Sequence, residues 1–207
     1  ILVTPFCNGM DQTQHLDYRA YENIQLGYYD TRFKQSGIRT EITTTERASF
    51  YRFTYPADSL KSLAIDAGFF LGESPVPDAR EAQQFVGSEI EILSDHEVNG
   101  YTRIRGGWNN GRAYTVYFYA ETDKPFTQCR TWKGTQITDE RSQFDSYEKT
   151  GALLRFAQGD SVVQLKIGIS FLSSQRAKHN ARTYIPHWSF EKVHNDLLVQ
   201  WEKLFKA

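Results

Sequence analysis

Residues 37–45, with the sequence GIRTEITTT, decide the fold class of this chain. Side chains of two kinds alternate along the stretch: Ile38, Thr40, Ile42 and Thr44 on one side, and Arg39, Glu41 and Thr43 on the other. Successive side chains of a β-strand point to opposite faces of a sheet, so this period of two predicts a strand. The isoleucines and threonines are β-branched and favour the same structure.

Runs of the same kind recur along most of the chain. They cover residues 1–5, 48–55, 60–67, 88–93, 101–105, 114–121, 151–157 and 161–172. Turn-forming residues separate them at 94–96, 106–111 and 158–160, and the last of these is the best hairpin candidate because both flanking runs are strand-like. Residues 73–84 contain two prolines and predict a loop with room for a helical turn. Eight or more strands without intervening helices predict an all-β fold, an antiparallel β-sandwich.

The hydrophobic period changes from two residues to the helical value near the C-terminus. Apolar residues now recur three and four apart: Phe190, Val193, Leu197, Trp201, Leu204 and Phe205. Ser189 suits an N-cap, and Trp188 suits a hydrophobic staple on Val193. The pattern predicts a helix over 190–206, and residues 173–182 also have a helix-compatible composition. We therefore divide the chain into a sandwich at 1–172 and a helical segment at 173–207.

Composition excludes two classes of partner. The 207 residues carry 24 Lys+Arg and 25 Asp+Glu, for a net charge of −1, whereas nucleic-acid binders have a basic face. No apolar run approaches the roughly 18 residues that span a bilayer. The only methionine is Met10 and the chain opens at Ile1, so we expect a cut or processed N-terminus. Cys7 and Cys129 fit either a disulfide or two reduced core thiols.

The sequence contains no strong catalytic signature. Nucleophile-elbow, zinc-protease, phosphate-loop and dinucleotide motifs are all absent, and the five histidines share no metal-like spacing. Glycoside hydrolysis needs two carboxyl groups at a set separation, and 25 acidic residues offer too many pairs for the sequence to select one. We therefore predict no catalytic and no metal-ligating residue in this chain.

Two segments could contact a sugar. In residues 105–111, RGGWNNG, an open Trp108 could stack on a sugar ring while Asn109 binds its hydroxyls, or Trp108 could simply plug the end of the sandwich. Tyr21, Glu22 and Asn23 combine aromatic, acidic and amide groups that could line a polyol pocket, although a solvated loop with aromatic anchors is the commoner outcome. These five residues are the substrate-binding candidates.

Several segments in order resemble the N-terminal β-sandwich of family 92 glycoside hydrolases, the calcium-dependent exo-acting α-mannosidases. The resemblance is carried by residues 21–29 (YENIQLGYY), 37–47 (GIRTEITTTER), 50–56 (FYRFTYP), 114–126 (YTVYFYAETDKPF), 163–171 (VQLKIGISF) and 188–201. It extends from about residue 15 to residue 207. Tyr21 stands where the family often has histidine, which is a departure at a candidate binding position.

The resemblance implies a mutarotase-like supersandwich joined through helix 190–206 to an (α/α)6 barrel. That barrel would hold the acid, the base and the Ca²⁺ ligands of an inverting enzyme that removes terminal α-linked mannose from glycans, while the sandwich closes one wall of the pocket. This chain would then need no cofactor of its own, would be catalytically silent alone and would be cut at both ends. The family also implies a bacterial periplasmic or secreted location.

Two other functions stay open at this stage. The first is a self-sufficient carbohydrate-binding sandwich that uses Trp108 and its loop. The second is a purely structural or interaction domain whose adhesive element is the apolar face of helix 190–206.

Overall fold

Strands dominate the computed structural model, which describes residues 1–72, 82–107, 111–159 and 161–206. These residues form fourteen strands and two helices. The strands are β1 (Leu2–Phe6), β2 (Arg19–Gln25), β3 (Tyr28–Phe33), β4 (Arg39–Thr44), β5 (Ala48–Thr54), β6 (Ser62–Asp66), β7 (Gln83–Ile92), β8 (Glu97–Gly106), β9 (Tyr114–Thr122), β10 (Phe126–Lys133), β11 (Gln136–Thr138), β12 (Ser142–Asp145), β13 (Thr150–Phe156) and β14 (Val162–Ser170). The helices are α1 (Ser174–Tyr184) and α2 (Phe190–Phe205).

The strands form two sheets. The smaller has the order β1-β6-β13-β10-β11, and the larger has the order β12-β7-β8-β9-β14-β5-β4-β3-β2. Every pairing among the described strands is antiparallel. The predicted all-β antiparallel sandwich is therefore confirmed.

The main core lies between the two sheets and comes from the inward half of the alternating strands. Its fully buried members include Ile38, Leu63, Ile65, Phe118 and Leu165. At roughly 1.5–3 kcal/mol for each large apolar side chain, this burial is the main stabilising contribution to the fold. The outward half of each large-sheet strand is left to pack against the helices or to face solvent.

Both helices lie on the outer face of the large sheet. Ala177 and Ala181 of α1 pack on Tyr119, and a Cβ at Gly168 would lie 2.2 Å from the Ala177 carbonyl oxygen, so this contact requires glycine. Ser173 caps α1 by accepting a hydrogen bond from the Arg176 amide at 3.1 Å. The close approach holds α1 flat against β14 and β9.

The predicted helix 190–206 is confirmed as α2, which ends one residue earlier. Phe190 and Val193 pack with Phe50, and Trp188 packs against the same cluster, with its ring centroid 5.9 Å from that of Phe50. The predicted staple of Trp188 on Val193 stays a prediction. Ser189 occupies the N-cap position, but its side chain makes no capping hydrogen bond. Helix α2 therefore owes its position to tertiary packing and not to its cap.

Several local predictions are wrong. Residues 158–160 do not close a hairpin, because β13 and β14 belong to different sheets. Strand β7 begins at Gln83, inside the segment 73–84 that was predicted as a loop, and residues 73–81 lie outside the described residues. Strands β2, β3, β10, β11 and β12 were not predicted. The division at residue 172 between a sandwich and a linker to another domain stays a prediction.

The two cysteines are both free thiols. Cys7 follows β1 and Cys129 lies in β10, and the strand order separates β1 from β10 by β6 and β13. Three strand spacings amount to roughly 14 Å, about twice the Cα separation that a disulfide tolerates. Of the two alternatives, the structure therefore supports reduced thiols.

Neither helix in the described part of the chain combines the length and the apolar character that a membrane span requires.

Candidate functional site

The outer face of β2, β3, β4 and β5 carries a network of charged side chains next to helix α2. Two carboxylates lie at its centre, Asp30 with 6% and Glu41 with 3% of the residue exposed. They sit directly opposite each other on β3 and β4. Like charges in that position repel, so the pair requires cations around it.

Arg39 bridges the two carboxylates. Its Nε donates to Asp30 Oδ1 at 2.9 Å and its Nη2 to Asp30 Oδ2 at 3.0 Å, a two-pronged contact. Nη2 also lies 3.3 Å from Glu41 Oε1. Tyr21 extends the network to β2 by donating its hydroxyl to Asp30 at 3.2 Å. The paired N–H donors of Arg39 give its contact with Asp30 both strength and a fixed orientation.

Arg52 binds the other carboxylate and connects the sheet to helix α2. Its Nε and Nη2 donate to the two Glu41 oxygens, each at 2.8 Å, and Tyr28 donates its hydroxyl to Glu41 at 2.8 Å. Arg52 also contacts Glu191 in the first turn of α2 and lies over the Phe190 ring at 4.5 Å. The network therefore fixes the start of α2 on the sheet.

The network holds its two glutamates, Glu41 and Glu191, in the ionised form. Burial alone would raise the pKa of Glu41, but the hydrogen bonds from Arg52 and Tyr28 outweigh burial, and the pKa lies below its ordinary value. The hydrogen bond from Arg52 likewise lowers the pKa of Glu191. Burial and the bond to Glu41 raise the pKa of Tyr28 to about 12. At neutral pH neither glutamate is suited to protonate a leaving group.

The predicted binding residues on β2 are brought to this face only in part. Tyr21 and Asn23 point to the outer face, opposite Arg32 and Asp30 in the register. Glu22 points the other way, accepting from Tyr29 at 2.6 Å and pairing with Arg19 at 3.1 Å. All seven residues of β2 are exposed, and the segment is an edge strand instead of the solvated loop that was the commoner expectation.

The other two predicted contacts, Trp108 and Asn109, lie outside the described residues. Their role in sugar binding stays a prediction. The strands on either side of them, β8 and β9, are paired as the turn residues at 106–111 predicted.

Helix α2 borders the network and changes character along its length. Its first half is packed: Leu197 lies so close to the β2–β3 turn that a Cβ at Gly27 would approach Leu197 Cδ2 to 2.5 Å. Its second half leaves large apolar side chains in solvent, with Leu204 and Phe205 67% and 73% exposed. A contiguous exposed apolar surface of this kind is typical of an interface.

The residues present do not suit a bound calcium ion. No group of three or more His, Cys, Asp or Glu side chains in the described ranges could hold a metal ion. The two buried acidic residues of the described part of the chain, Asp30 and Glu41, are already neutralised by Arg39 and Arg52, whose guanidinium groups would repel a cation. The face can orient a neutral polar ligand through the exposed Tyr21 and Asn23.

The arginines and acids of the network were not identified from the sequence as site residues. Arg39 and Glu41 were assigned only to the polar side of a strand. The available signal was their alternation together with Arg52 in the next predicted strand, because antiparallel pairing places Glu41 directly opposite Arg52. Identifying the network required the pairing register of strands β4 and β5, which the sequence does not specify.

Comparison with known proteins identifies relatives. Residues 2–170 match the Glycosyl hydrolase family 92 N-terminal domain. An uncharacterized secreted glycosidase of Arthroderma benhamiae is 26% identical over 187 residues, which cover 86% of this chain and 24% of that protein.

Solved structures share the fold. The family GH92 α-mannosidase BT3965 from Bacteroides thetaiotaomicron aligns with a TM-score of 0.81 at 20% identity, covering 98% of this chain and 28% of that one. The GH92 inverting mannosidase BT2199 from the same species aligns with a TM-score of 0.77 at 18% identity, covering 97% and 26%. The GH92 glycosyl hydrolase ccman5 gives a TM-score of 0.77 at 22% identity, covering 98% and 27%. The chain thus spans about a quarter of the length of these relatives.

Proposed function

Because this chain belongs to the family of glycosyl hydrolase family 92 N-terminal domains, we propose that it is the N-terminal sandwich of an α-mannosidase. The enzyme would remove terminal α-linked mannose from glycans. The observation that carries the proposal is the family match over residues 2–170, which spans the whole sandwich and both strands of the Tyr21–Asp30 contact. Structural relatives described as α-mannosidases support it, one of them solved with mannoimidazole.

In this proposal the outer network acts as one wall of a sugar pocket. Tyr21 and Asn23 would contact sugar hydroxyls, and Arg39 and Asp30 would hold Tyr21 in place behind them. Arginine holds Glu41 and Glu191 of this wall in the ionised form, so neither glutamate would serve as a general acid. The acid and base of an inverting reaction, which act on opposite faces of the sugar ring, would come from a separate catalytic domain.

Helix α2 would join the two domains. The network fixes its first turn through Arg52 and Glu191, while Leu204, Phe205 and Trp201 near its end remain exposed. These residues would pack against an (α/α)6 barrel, the partner domain. The chain alone would then be inactive because it provides the wall and the junction but no catalytic pair.

Two further properties belong to the same proposal. Calcium would be bound by the catalytic domain, since the described residues here do not suit it; a chelator would then abolish activity of the full-length enzyme without changing the melting temperature of this chain. The protein would be exported, in keeping with the relative described as secreted.

The proposal is tested by kinetics of the full-length enzyme on an α-linked mannobiose. Replacing Tyr21 by Phe or Asn23 by Ala should raise KM or lower kcat/KM by roughly tenfold, the effect of about one lost hydrogen bond to substrate. Tyr147→Phe is the matched control because Tyr147 is 93% exposed and lies outside the network. Hydrolysis unchanged in both site variants would exclude this face from the pocket.

A further inference from the structure

A second group of side chains on the outer face of the large sheet forms an aromatic row. Four residues on adjacent strands lie directly opposite one another in the register: Phe144 on β12, Glu89 on β7, Tyr101 on β8 and Tyr117 on β9. Phe144 is 57% exposed and the other three are half-buried. We call this set the aromatic row.

The residues of the row follow one another across the strands in the register. Tyr101 and Tyr117 have ring centroids 5.8 Å apart at an interplanar angle of 64°. Phe144 lies two strands from Tyr101, so the row spans three strand intervals, roughly 14 Å. That length exceeds a single pyranose ring and suits a short chain of them.

Polar groups with unused hydrogen-bonding capacity border the rings. In the part of the chain that the structure describes, Glu89, Glu91 and Asn99 make no side-chain hydrogen bond or ion pair. Glu91 and Asn99 lie opposite each other in the next row. Glu89 is half-buried, and this burial, together with the nearby Glu91, raises the pKa of its carboxyl group.

The charges on this face cancel. Glu89 and Glu91 are balanced by Arg103 and Arg105, which project from the same side of β8 as Tyr101. A surface with balanced charge does not favour an acidic peptide, a nucleic acid or a cationic tail. It favours a neutral ligand with apolar faces to stack on rings and hydroxyls to bind carboxylate and amide oxygens.

The helices leave the row open. Helix α1 contacts β8 at Glu97, the first residue of that strand, which binds Lys178 at 2.6 Å and Arg182 at 2.8 Å. Its packing on the sheet is centred on Tyr119 and Gly168, one row away from Tyr117. The aromatic row begins beyond that contact and is accessible from solvent.

We propose that the aromatic row binds a neutral chain of pyranose sugars, with the rings of Tyr117, Tyr101 and Phe144 stacking on successive sugars. The Glu89 carboxylate accepts hydrogen bonds from sugar hydroxyls, and the Asn99 amide accepts or donates them. The choice of a mannose chain rests on the proposed function. The assignment of a sugar-binding site rests on the aromatic row alone and does not depend on the proposed function.

The test is native affinity electrophoresis of the 207-residue chain in gels with and without soluble α-mannan. The chain should be retarded by mannan, and Tyr101→Ala/Tyr117→Ala should weaken the apparent affinity roughly tenfold or more, since it removes two stacking rings. Tyr117→Phe keeps the ring and should retain binding, which separates stacking from loss of fold. Tyr147→Ala is the matched control, and circular dichroism verifies that each variant is folded.

Each outcome of this experiment either supports or overturns the proposal. Absence of retardation for the parent chain, or equal retardation for the double variant, overturns the proposal. Retardation by a glucan but not by mannan overturns the mannose assignment, and retardation only by polygalacturonate overturns the neutral-ligand assignment. Full-length enzyme that is not retarded, while the 207-residue chain is, shows that another domain covers the row and also overturns it. Hydrolysis of a small α-mannoside by the full-length enzyme measures the proposed function separately.

Discussion

Glu41→Gln is the perturbation that most directly probes the outer network. The carboxylate is buried at 3% exposure and accepts from Arg52 twice and from Tyr28 once, all at 2.8 Å. Removing one partner of a buried ion pair costs about 3–5 kcal/mol because the other charge stays buried. The side chains of Arg52 and Arg39 are 24% and 36% exposed and keep Glu191 and Asp30 as partners, so we expect at most the low end of this range, about 3 kcal/mol.

Urea unfolding followed by circular dichroism measures this cost, and the melting temperature should fall by roughly 6–12 °C. The pKa of Glu41 is lowered in the folded state, so its stabilisation is complete above its ordinary pKa of 4.5 and disappears as the pH falls through the folded value. The gap between parent and variant should therefore shrink below about pH 4.5. Glu22→Gln, in an exposed ion pair, should cost less than about 1 kcal/mol. A Glu41→Gln loss no larger than that of Glu22→Gln would refute the reasoning.

Two further predictions concern packing, and a third concerns the cysteines. Gly151→Ala places a Cβ 2.1 Å from Trp132 Cζ2 and 2.5 Å from the Ile65 carbonyl oxygen, and should lower the free energy of unfolding in urea by about 3 kcal/mol or more. The control is Gly159→Ala, whose Cβ meets nothing within 4 Å and which should change that free energy by less than about 0.5 kcal/mol. Leu197→Ala should lower the free energy of unfolding by about 1–2 kcal/mol and speed hydrogen exchange in α2. Leu204→Ala is the control, because Leu204 is exposed and its loss should be nearly neutral. Equal effects of the two substitutions would contradict the packing of α2 on Gly27. The unfolded chain should titrate as two free thiols without reductant, and fewer than two would contradict the separation of Cys7 from Cys129.

Fold class was predictable because the inter-sheet core imposes a period of two on β4, β5, β9 and β14. The same reasoning failed for β2 and β3. Strand β2 is exposed along its whole length, and the outward side chains of β3 are Tyr28, Asp30 and Arg32, so no simple apolar alternation marks either strand. An edge strand is held by backbone pairing, which leaves little trace in composition.

Turn chemistry alone also could not say which strands pair. Residues 158–160 suit a tight turn, yet β13 joins the smaller sheet and β14 the larger one. The candidate site has the same limitation. Tyr21, Glu22 and Asn23 were identified from residue type, but the register decides that Tyr21 meets Asp30 while Glu22 faces the other way.

The network depends on contacts distant in sequence. Arg52 binds Glu41 in the adjacent strand and Glu191 in a helix 139 residues later. Local patterns predicted each of the three elements separately. Nothing in those patterns says that α2 docks over β4 and β5, since its apolar stripe suits its own sheet and another domain equally.

We propose that this chain forms a non-catalytic wall of a family 92 α-mannosidase, and this role is tested by measuring mannose release from an α-linked mannobiose. Proton NMR of the reaction measures both the rate and the anomer first formed. We predict that the 207-residue chain releases no mannose and that the full-length enzyme releases it with inverted configuration. Mannose release by the chain alone would contradict a non-catalytic role, and retention of configuration by the full-length enzyme would contradict an inverting mechanism.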